Sequence, residues 1–301
     1  MGERIRAGSR LIDLTKKEKI LFPDDNIRKG DLIDYYSRIA PWILPYLRGR
    51  PLMMQRFPEG IGSEGFYQKN ISGYFPGWIR HIRLEKEQGG ELDHLLCEDK
   101  ATLIYLANQA CISLHVWLSR ADRLRFPDQM IFDLDPPEGR FRDACRAALL
   151  LRDLLQEVGL ESFVKTTGSA GLHVLVPIDR ASAFDEVRSF AHDVTARLCI
   201  REPSLVTSEI RKEKRGGRVY IDTLRNAYGQ TAVAPYSVRA RPGAPVAAPL
   251  YWEEVEIPGL TAVKFTIKNL PARIEAGGDP WSPARRKRFS IGSARRRLSS
   301  L

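Results

Sequence analysis

The stretch QMIFDLDPP, residues Gln129–Pro137, is the segment that decides the fold of this chain. It is a short apolar run stopped by two prolines, which is typical of a buried strand. Successive side chains of a strand point to opposite faces, so Phe132 and Leu134 share one face while Asp133 and Asp135 share the other. The pattern predicts a strand with one face in the core and two carboxylates on its open face.

The segments that follow alternate between helix and strand patterns. In chain order they are a helix ended by Gly159 (Phe141–Val158), two strands joined by a glycine turn (Glu161–Thr167 and Leu172–Ile178), a helix capped by Ser182 (Ala183–Ile200) and two further strands (Val219–Leu224 and Ala232–Arg239). Through Leu224 the order is βαββαβ, the split βαβ or ferredoxin-like arrangement, in which RNA-recognition modules are also built. The predicted fold class is therefore α+β, with a ferredoxin-like palm packed against an N-terminal α/β half.

In this topology the first and third strands form the central pair, and the fourth strand lies beside the first. The alternation of apolar side chains places His173 on the open face of the third strand and Asp222 on that of the fourth. Asp222 is thus expected beside Asp133 and Asp135. Crowded carboxylates repel one another unless a hard cation lies among them, and two Mg²⁺ or Mn²⁺ ions about 3.5–4 Å apart suit an in-line phosphoryl displacement.

Three other interpretations of these aspartates are weaker. A lone DxD after a strand is often a turn or a cap, but a third aspartate on the neighbouring strand argues against that. Phosphatases of the haloacid dehalogenase type carry Thr or Val two residues after the second aspartate, near the chain start, whereas this chain has Pro137 there. A non-catalytic RNA-binding module needs exposed aromatic side chains on its central strands, where this chain has Asp133, Asp135 and His173.

The glycine turn Gly168–Gly171 lets backbone N–H groups approach phosphate oxygens, and Ser169 adds a hydroxyl. Because His173 follows two residues later, one strand away from the aspartates, the segment is interpreted as a triphosphate cradle. A glycine turn alone would indicate only a hairpin.

The first half of the chain has a less regular pattern. It predicts a helix over Lys29–Leu47, interrupted by Pro41 and Pro45, and a loop-rich stretch from Phe57 to Gly90. A second helix is predicted over Asp99–Arg120 from apolar residues at helical spacing, and it would carry His115.

The composition is that of a basic globular protein. The 301 residues include 47 Lys and Arg against 37 Asp and Glu, and the net charge of +10 suits a polyanionic partner. The four cysteines form no CxxC pair, so neither a zinc ribbon nor a disulfide framework is indicated. No apolar run of membrane-spanning length and no signal-peptide pattern is present, so a cytoplasmic location without a membrane partner is expected. The cationic end from Ala284 onward is typical of a solvated tail or a linker.

Three ordered segments carry a family likeness: Ile131–Pro137 (IFDLDPP), Lys165–Pro177 (KTTGSAGLHVLVP) and Arg218–Arg241 (RVYIDTLRNAYGQTAVAPYSVRAR). They resemble the motifs of the archaeo-eukaryotic primase superfamily, and more closely those of the polymerase domain of bacterial ATP-dependent DNA ligase D, which acts in non-homologous end joining. The likeness runs from about Leu11 to Trp281. Further matching segments are Asp13–Pro23 (DLTKKEKILFP), Gly65–Asn70 (GFYQKN) and Ser113–Trp117 (SLHVW).

This resemblance implies a template-directed nucleotidyltransferase that prefers ribonucleotides, favours Mn²⁺ and fills short gaps at broken DNA ends in the bacterial nucleoid. Implied partners are gapped or broken DNA with a 5′-phosphate, NTPs or dNTPs, the Ku ring and a ligase domain. The chain would form one primase-polymerase domain over residues 1–301, comprising an N-terminal half (1–125), a catalytic palm (126–241) and a C-terminal segment with the basic tail (242–301).

The resemblance also implies a role for each matching residue. Asp133, Asp135 and Asp222 match the metal ligands, and His115 matches an active-site histidine. The implied nucleotide-binding residues are Ser169, His173, Lys165, Arg239, Arg225, Phe66 and Tyr67, and the implied 5′-phosphate pair is Lys19 and Lys29. Some relatives have glutamine in place of Arg225. Many have lysine in place of Ala170, so a cationic contact with the triphosphate is either missing or supplied by Lys165.

Overall fold

The structure, a computed structural model, describes residues 3–85 and 89–301. The chain forms two compact units, each built from several segments. The first unit is Met1–Trp117, Thr231–Ala247 and Phe265–Gly278, and the second is Leu118–Gln230, Ala248–Lys264 and Asp279–Leu301. These boundaries differ from the divisions at residues 125 and 241 expected from the sequence, and the assignment of residues 1–301 to one domain stays a prediction.

Helices and strands are numbered along the whole chain. Those of the first unit are β1 (Arg4–Ala7), β2 (Arg10–Asp13), β3 (Ile20–Phe22), β4 (Ile27–Arg28), α1 (Lys29–Leu47), β5 (Leu52–Arg56), β6 (Phe66–Gln68), β7 (His81–Glu85), β8 (Glu91–Leu95), α2 (Lys100–Asn108), β9 (Cys111–Trp117), β15 (Thr231–Val233) and α6 (Leu270–Gly277). A four-stranded antiparallel sheet has the order β15–β9–β5–β6, and β1–β2, β3–β4 and β7–β8 pair as hairpins.

Helix α1 supports the four-stranded sheet. Its predicted bounds are confirmed, but Pro41 and Pro45 lie inside one helix and do not interrupt it. The buried hydroxyl of Tyr36 donates to the backbone carbonyl of Ile112 at 2.7 Å. This bond connects the helix to β9, the strand that carries His115.

The predicted helix over Asp99–Arg120 is wrong beyond Asn108. Asp99 does cap α2, since its carboxylate accepts from the backbone N–H of Thr102 at 2.8 Å. The helix then ends, Ala110 takes a positive φ of 54°, and β9 begins at the next residue. The run CISLHVW is rich in β-branched and aromatic side chains and is buried on both faces, so a strand between β5 and β15 is favoured over a continued helix.

The elements of the second unit are β10 (Gln129–Asp135), α3 (Phe141–Glu157), β11 (Phe163–Thr166), β12 (Leu172–Pro177), α4 (Phe184–Arg201), β13 (Val206–Thr207), β14 (Val219–Asp222), β16 (Pro249–Leu250), α5 (Trp252–Glu256) and α7 (Ile291–Leu298). Short 3₁₀ helices lie at Lys212–Lys214, Leu224–Asn226 and Ser282–Arg285. The six-stranded sheet has the order β13–β14–β10–β12–β11–β16, and α3 and α4 contact it.

The α+β class and the palm predicted from the sequence are confirmed. Strands β14, β10, β12 and β11 stand in the expected order, with Phe132, Leu134 and Val174 fully buried. Strands β13 and β16 extend the sheet at its two edges and were not predicted. The strand predicted over Ala232–Arg239 is limited to β15, which belongs to the first unit's sheet. Helix α4 begins one residue later than predicted, with Ala183 rather than Ser182 at the cap.

The cationic end of the chain is folded, so the prediction of a solvated tail or linker is wrong. The backbone N–H of Phe289 donates to the carbonyl of Pro177 at 3.1 Å, and that of Asp179 donates to the carbonyl of Phe289 at 3.1 Å. Arg295 on α7 pairs with Asp193 on α4 at 3.0 Å. Ile291, Ala294 and Leu298 form a buried stripe, which explains why α7 packs although three consecutive arginines precede Leu298. In the described part of the chain, no helix has the length and apolar character needed to cross a membrane.

Gly171 provides a test of the close approach between β12 and β10. A Cβ added at residue 171 would lie 1.9 Å from the backbone carbonyl oxygen of Leu134, which cannot move without disturbing β10. We expect Gly171→Ala to lower the free energy of unfolding by at least about 2 kcal/mol, measured by urea denaturation followed by circular dichroism. The control is Gly292→Ala, where the nearest atoms are 3.8 Å away and α7 should be unchanged or slightly stabilised. Equal stability of the two variants would contradict the close approach.

Candidate active site

Four polar side chains lie in one row across the sheet of the second unit. In the register of the sheet, Lys165 on β11 lies opposite His173 on β12, and His173 lies opposite Asp133 on β10. Asp133 in turn lies opposite Asp222 on β14. Residues directly opposite on antiparallel strands point to the same face, with Cβ atoms about 4.5–5.5 Å apart. Asp135 lies two residues beyond Asp133 and so on the same face. The structure brings the three aspartates together as the strand pattern predicted.

Half-buried Asp133 and buried His173 lie close together, with Nε2 of His173 3.4 Å from Oδ1 of Asp133. Burial opposes ionisation of Asp133, but His173, Arg225 and Lys165 outweigh it, so the pKa of Asp133 is lower than usual. Burial and the positive charge of Lys165 lower the pKa of His173 to about 4. At neutral pH the pair therefore consists of a carboxylate and a neutral imidazole, with one negative charge.

The second ring nitrogen of His173, Nδ1, is buried and has no hydrogen-bond partner among the residues that the structure describes. Buried polar atoms in proteins are almost always hydrogen-bonded. An orphaned ring nitrogen beside an ionised aspartate is the arrangement expected where a ligand supplies the missing partner.

Asp222 is the less readily ionised member of the facing pair. Burial raises its pKa, and the negative charge of Asp133 adds to the increase. The backbone N–H of Leu224 acts in the opposite direction, since it donates to Oδ1 of Asp222 at 2.7 Å. Two carboxylates held this closely compete for ionisation, and positive charge near both of them reduces that competition.

Two arginines supply positive charge at this face. Nε of Arg225 lies 3.6 Å from Oδ2 of Asp133 and 3.9 Å from Oδ2 of Asp222. Nη1 of Arg215 lies 3.2 Å from Oδ2 of Asp135, and its guanidinium carbon is 4.0 Å from the centre of the Tyr220 ring. Arg215 was not predicted from the sequence, although the basic run RKEKRGGR just before β14 indicates a cationic residue near the aspartates.

The residues at this face fit a hard divalent cation such as Mg²⁺ or Mn²⁺, whose preferred ligands are carboxylate oxygens. Asp133 and Asp222 face each other across the strand pair, and Asp135 adds a third carboxylate on the same side. Over residues 3–85 and 89–301 no group of three or more His, Cys, Asp or Glu side chains already stands in metal-binding geometry. Asp135 instead contacts Arg215, while the other two aspartates contact Arg225.

The glycine turn is held together by Thr167. Its Oγ1 accepts from the backbone N–H of Ser169 at 3.3 Å and from that of Gly171 at 3.2 Å, and it donates to the Gly171 carbonyl at 3.0 Å. Two of the N–H groups expected to contact phosphate are therefore used inside the turn. The half-buried Ser169 and the exposed Ala170 form its outer surface.

The remaining predicted site residues belong to the first unit. His115 is 9% exposed on β9, and its ring lies 6.1 Å from that of Tyr67 in an edge contact. Phe66 and Tyr67 on β6 are 45% and 58% exposed. Arg239 follows β15 and donates its backbone N–H to the carbonyl of Pro245 at 2.7 Å.

Lys19 and Lys29 also lie in the first unit and are close neighbours. The backbone N–H of Lys29 donates to the Lys19 carbonyl at 2.8 Å. Nζ of Lys29 is buried and donates to Oγ1 of Thr15 at 3.2 Å and to the carbonyl of Asn108 at 3.0 Å. Burial lowers the pKa of Lys29, and the positive charges of Lys19 and Lys16 lower it further. The ammonium group of Lys19 pairs with Glu59 at 2.6 Å.

Known proteins resemble this chain in sequence and in structure. The bifunctional non-homologous end joining protein LigD of Bacillus subtilis (strain 168) is 34% identical over 272 residues, which cover 90% of this chain and 43% of that protein. The multifunctional non-homologous end joining protein LigD of Pseudomonas aeruginosa is 33% identical over 298 residues, 97% of this chain and 35% of that protein. The chain thus spans less than half the length of these relatives.

A solved structure, the polymerase domain from Mycobacterium tuberculosis ligase D in complex with DNA, matches with a TM-score of 0.86 and 30% sequence identity. The match covers 92% of this chain and 99% of that one. The family profile described as LigD, primase-polymerase domain, matches residues 28–281, a span that contains the row from Lys165 to Asp222. Sequence and fold agree over most of the chain, and it belongs to the LigD primase-polymerase domain family.

Proposed function

We propose that this chain is a template-dependent nucleotidyltransferase that extends the 3′ end of a DNA strand at gaps and double-strand breaks during non-homologous end joining. The reaction joins the 3′ oxygen of the primer to the α-phosphorus of an incoming NTP or dNTP and releases pyrophosphate. The observation that carries this proposal is the pairing of Asp133 with Asp222 on one open sheet face, with Asp135 beside them.

Asp133, Asp135 and Asp222 would hold two Mg²⁺ or Mn²⁺ ions. When bound, these ions supply electrostatic stabilisation of the attacking and leaving oxygens in an in-line displacement. The lowered pKa of Asp133 keeps that carboxylate ionised and ready to bind. Arg225 balances charge near Asp133 and Asp222.

The nucleotide would lie along the same row. The hydroxyl of Ser169 is suited to donate to triphosphate oxygens, and the buried charge of Lys165 adds a favourable field for an anion. In the neutral ring the orphaned Nδ1 of His173 is an acceptor, and it can donate to a triphosphate oxygen only as an imidazolium, which the negative charge of a bound triphosphate would favour. On the family likeness alone, we also propose that Arg239 acts near an incoming nucleotide and that His115 is an active-site histidine. The exposed rings of Phe66 and Tyr67 would pack against the template base and the nucleotide.

The alternative of a non-catalytic RNA-binding module receives less support. Such a module stacks bases on aromatic side chains of its central strands. The open face of β10 and β12 instead carries Asp133, Asp135 and His173. A ribonucleotide preference, an association with Ku and with a ligase domain, and a location in the bacterial nucleoid are further parts of the proposal that rest on the family.

We expect Asp133→Ala and Asp222→Ala each to reduce the rate of primer extension by at least about 1,000-fold. Each substitution removes a negative charge that no neighbouring group replaces. Extension of a labelled primer on a gapped duplex, with NTPs and with dNTPs in Mg²⁺ and in Mn²⁺, measures the effect. DNA affinity should be equal to or slightly above that of the wild type, since a negative charge is lost. The matched control is Asp153→Ala, an aspartate on α3 whose side chain is 54% exposed and pairs with Arg152. Near-normal extension by either active-site variant would contradict the assignment.

A second prediction concerns Lys19 and Lys29, which we assign to the 5′-phosphate on the downstream side of a gap. A terminal phosphate carries more charge than an internal one, so the wild type should bind a phosphorylated gap more tightly than an unphosphorylated gap. We expect Lys19→Ala/Lys29→Ala to lose that preference and to reduce the slope of log K against log salt by about 0.7–0.9 for each lost phosphate contact. Fluorescence anisotropy at several salt concentrations measures both quantities.

The control for this experiment is Lys268→Ala, an exposed lysine of the same unit outside the pair, which should keep the preference. Equal affinity of the wild type for the phosphorylated and the unphosphorylated gap, at one fixed salt concentration, would rule out 5′-phosphate binding by Lys19 and Lys29. It would leave the polymerase assignment untouched.

A further inference from the structure

The first unit has a surface, adjoining Phe66, on which aromatic rings and cations lie together. Between Gly65 and Arg83 the chain carries five aromatic residues and three cations, and it has no Asp or Glu. Tyr74 is 61% exposed, more than Phe66 at 45% and Tyr67 at 58%, and Trp78 is partly exposed. The family likeness assigned roles only to Phe66 and Tyr67, so the rest of this segment has no function in the proposal above.

Contacts connect these side chains into one continuous arrangement. The guanidinium carbon of Arg56 lies 5.4 Å from the centre of the Phe66 ring, and Nη1 of Arg56 donates to the Tyr74 hydroxyl at 2.6 Å. At the other end, the Trp78 ring lies 6.1 Å from that of Tyr105 in an edge contact. We call the whole set the aromatic strip: Phe66, Arg56, Tyr74, Tyr105, Trp78 and Arg10.

Buried Phe75 connects the two halves of the aromatic strip from beneath. Its ring is 5.0 Å from that of Tyr74 and 5.2 Å from that of Tyr105, with an edge contact to each. Phe75 is 7% exposed, so it supports the two tyrosines without offering its own face. The rings of the strip are thus held in position before any ligand arrives, which reduces the entropy lost on binding.

The two arginines of the strip differ in what they can offer. Arg56 is 7% exposed, and it donates to the Gln109 carbonyl at 3.0 Å and to Gln68 at 2.8 Å, so it acts as a support. Arg10 is half-buried, and its guanidinium carbon lies 4.6 Å from the centre of the Trp78 ring. Nη1 of Arg10 forms an ion pair with Oδ2 of Asp99 at 3.2 Å. Arg10 therefore places a stacked guanidinium at the end of the row of rings.

We propose that the aromatic strip binds an unpaired stretch of a DNA strand, with bases stacked on Tyr74 and Trp78 and a phosphate near Arg10. Base-on-aromatic stacking with nearby cations is the physical basis of single-strand binding, and it accepts any base because every base has a π face. A duplex hides its base faces and cannot use this surface. The inference rests on the proposed function only for the identity of the ligand as DNA.

The main competing occupant is a proline-rich peptide, since such peptides also dock on aromatic rings. The chemistry of the segment favours the nucleic acid. The net charge of +10 and the lack of any carboxylate between Gly65 and Arg83 suit a polyanion, and exposed Lys69 and Arg80 lie on either side of Tyr74 and Trp78 in the chain.

Fluorescence anisotropy with labelled oligothymidylate and with a blunt duplex of equal length tests the inference on the full chain. We expect Tyr74→Ala and Trp78→Ala each to weaken single-strand binding by at least about 5-fold, and duplex binding by less than about 2-fold. The slope of log K against log salt should stay the same in these variants, because no phosphate contact is lost. Arg10→Gln should lower that slope by about 0.7 for the single strand.

Two controls separate stacking from other effects. Tyr74→Phe keeps the ring and should bind within about 2-fold of the wild type. Tyr251→Ala removes a 45%-exposed tyrosine of the second unit and should have no effect. Thermal denaturation of each variant identifies any that is destabilised.

Photocrosslinking of the wild-type chain to an oligonucleotide that contains 5-iododeoxyuridine gives a result that does not depend on the stability of a variant. We expect the adduct at Tyr74 or Trp78. Wild-type single-strand affinity in both alanine variants, or adducts confined to residues outside the strip, would overturn the inference. None of these measurements needs nucleotide addition, so they remain interpretable if the polymerase assignment fails.

Discussion

The repulsion between Asp133 and Asp222 is the constraint on which the site depends. The register of β10 and β14 places the two half-buried residues directly opposite each other, where partial burial weakens the hydration of their carboxylates. Two unit charges about 5 Å apart at an effective dielectric constant of about 20 repel by about 3 kcal/mol. The fold tolerates this because Lys165 and Arg225 contribute positive charge on the two sides of the aspartate pair, and because Asp222 is the carboxylate whose pKa rises.

The neighbouring elements can be understood as support for that pair. Close approach at Gly171 lets β12 run against β10, so that His173 lies opposite Asp133. The buried amide of Asn226 supports β10 from another side, since it accepts from the backbone N–H of Ile131 at 2.9 Å and donates to the Ile131 carbonyl at 2.7 Å. The carboxylates are therefore mounted on backbone that is fixed before any ligand binds, as preorganised catalysis requires.

The palm could be predicted from the sequence because its signals are local. The period-two pattern of IFDLD, the glycine turn and two amphipathic helices each specify one element, and the βαββαβ order then determines which strands are neighbours. The strand that carries His115 could not be predicted, because leucines and alanines spaced three or four residues apart fit a helix and a fully buried strand equally well. The outcome depended on the positive φ of Ala110 and on pairing with β5, which lies more than fifty residues earlier in the chain. The edge strands β13 and β16 are two residues each and rest entirely on their partners.

The arginines at the site show a different limit of sequence reasoning. A strand pattern places aspartates because the strand fixes where their short side chains point, whereas an arginine reaches several ångströms from a loop. Arg215 lies between a 3₁₀ helix and two glycines with positive φ, and its contact with Asp135 spans 80 positions in the sequence.

The charge balance of the row thus combines two kinds of residue. Lys165, His173 and the aspartates are placed by strand register, while Arg215 and Arg225 are placed by turns at the ends of strand β14. A cation that binds the aspartates must compete with both arginines, so the affinity of the face for metal is set as much by these two turns as by the carboxylates themselves.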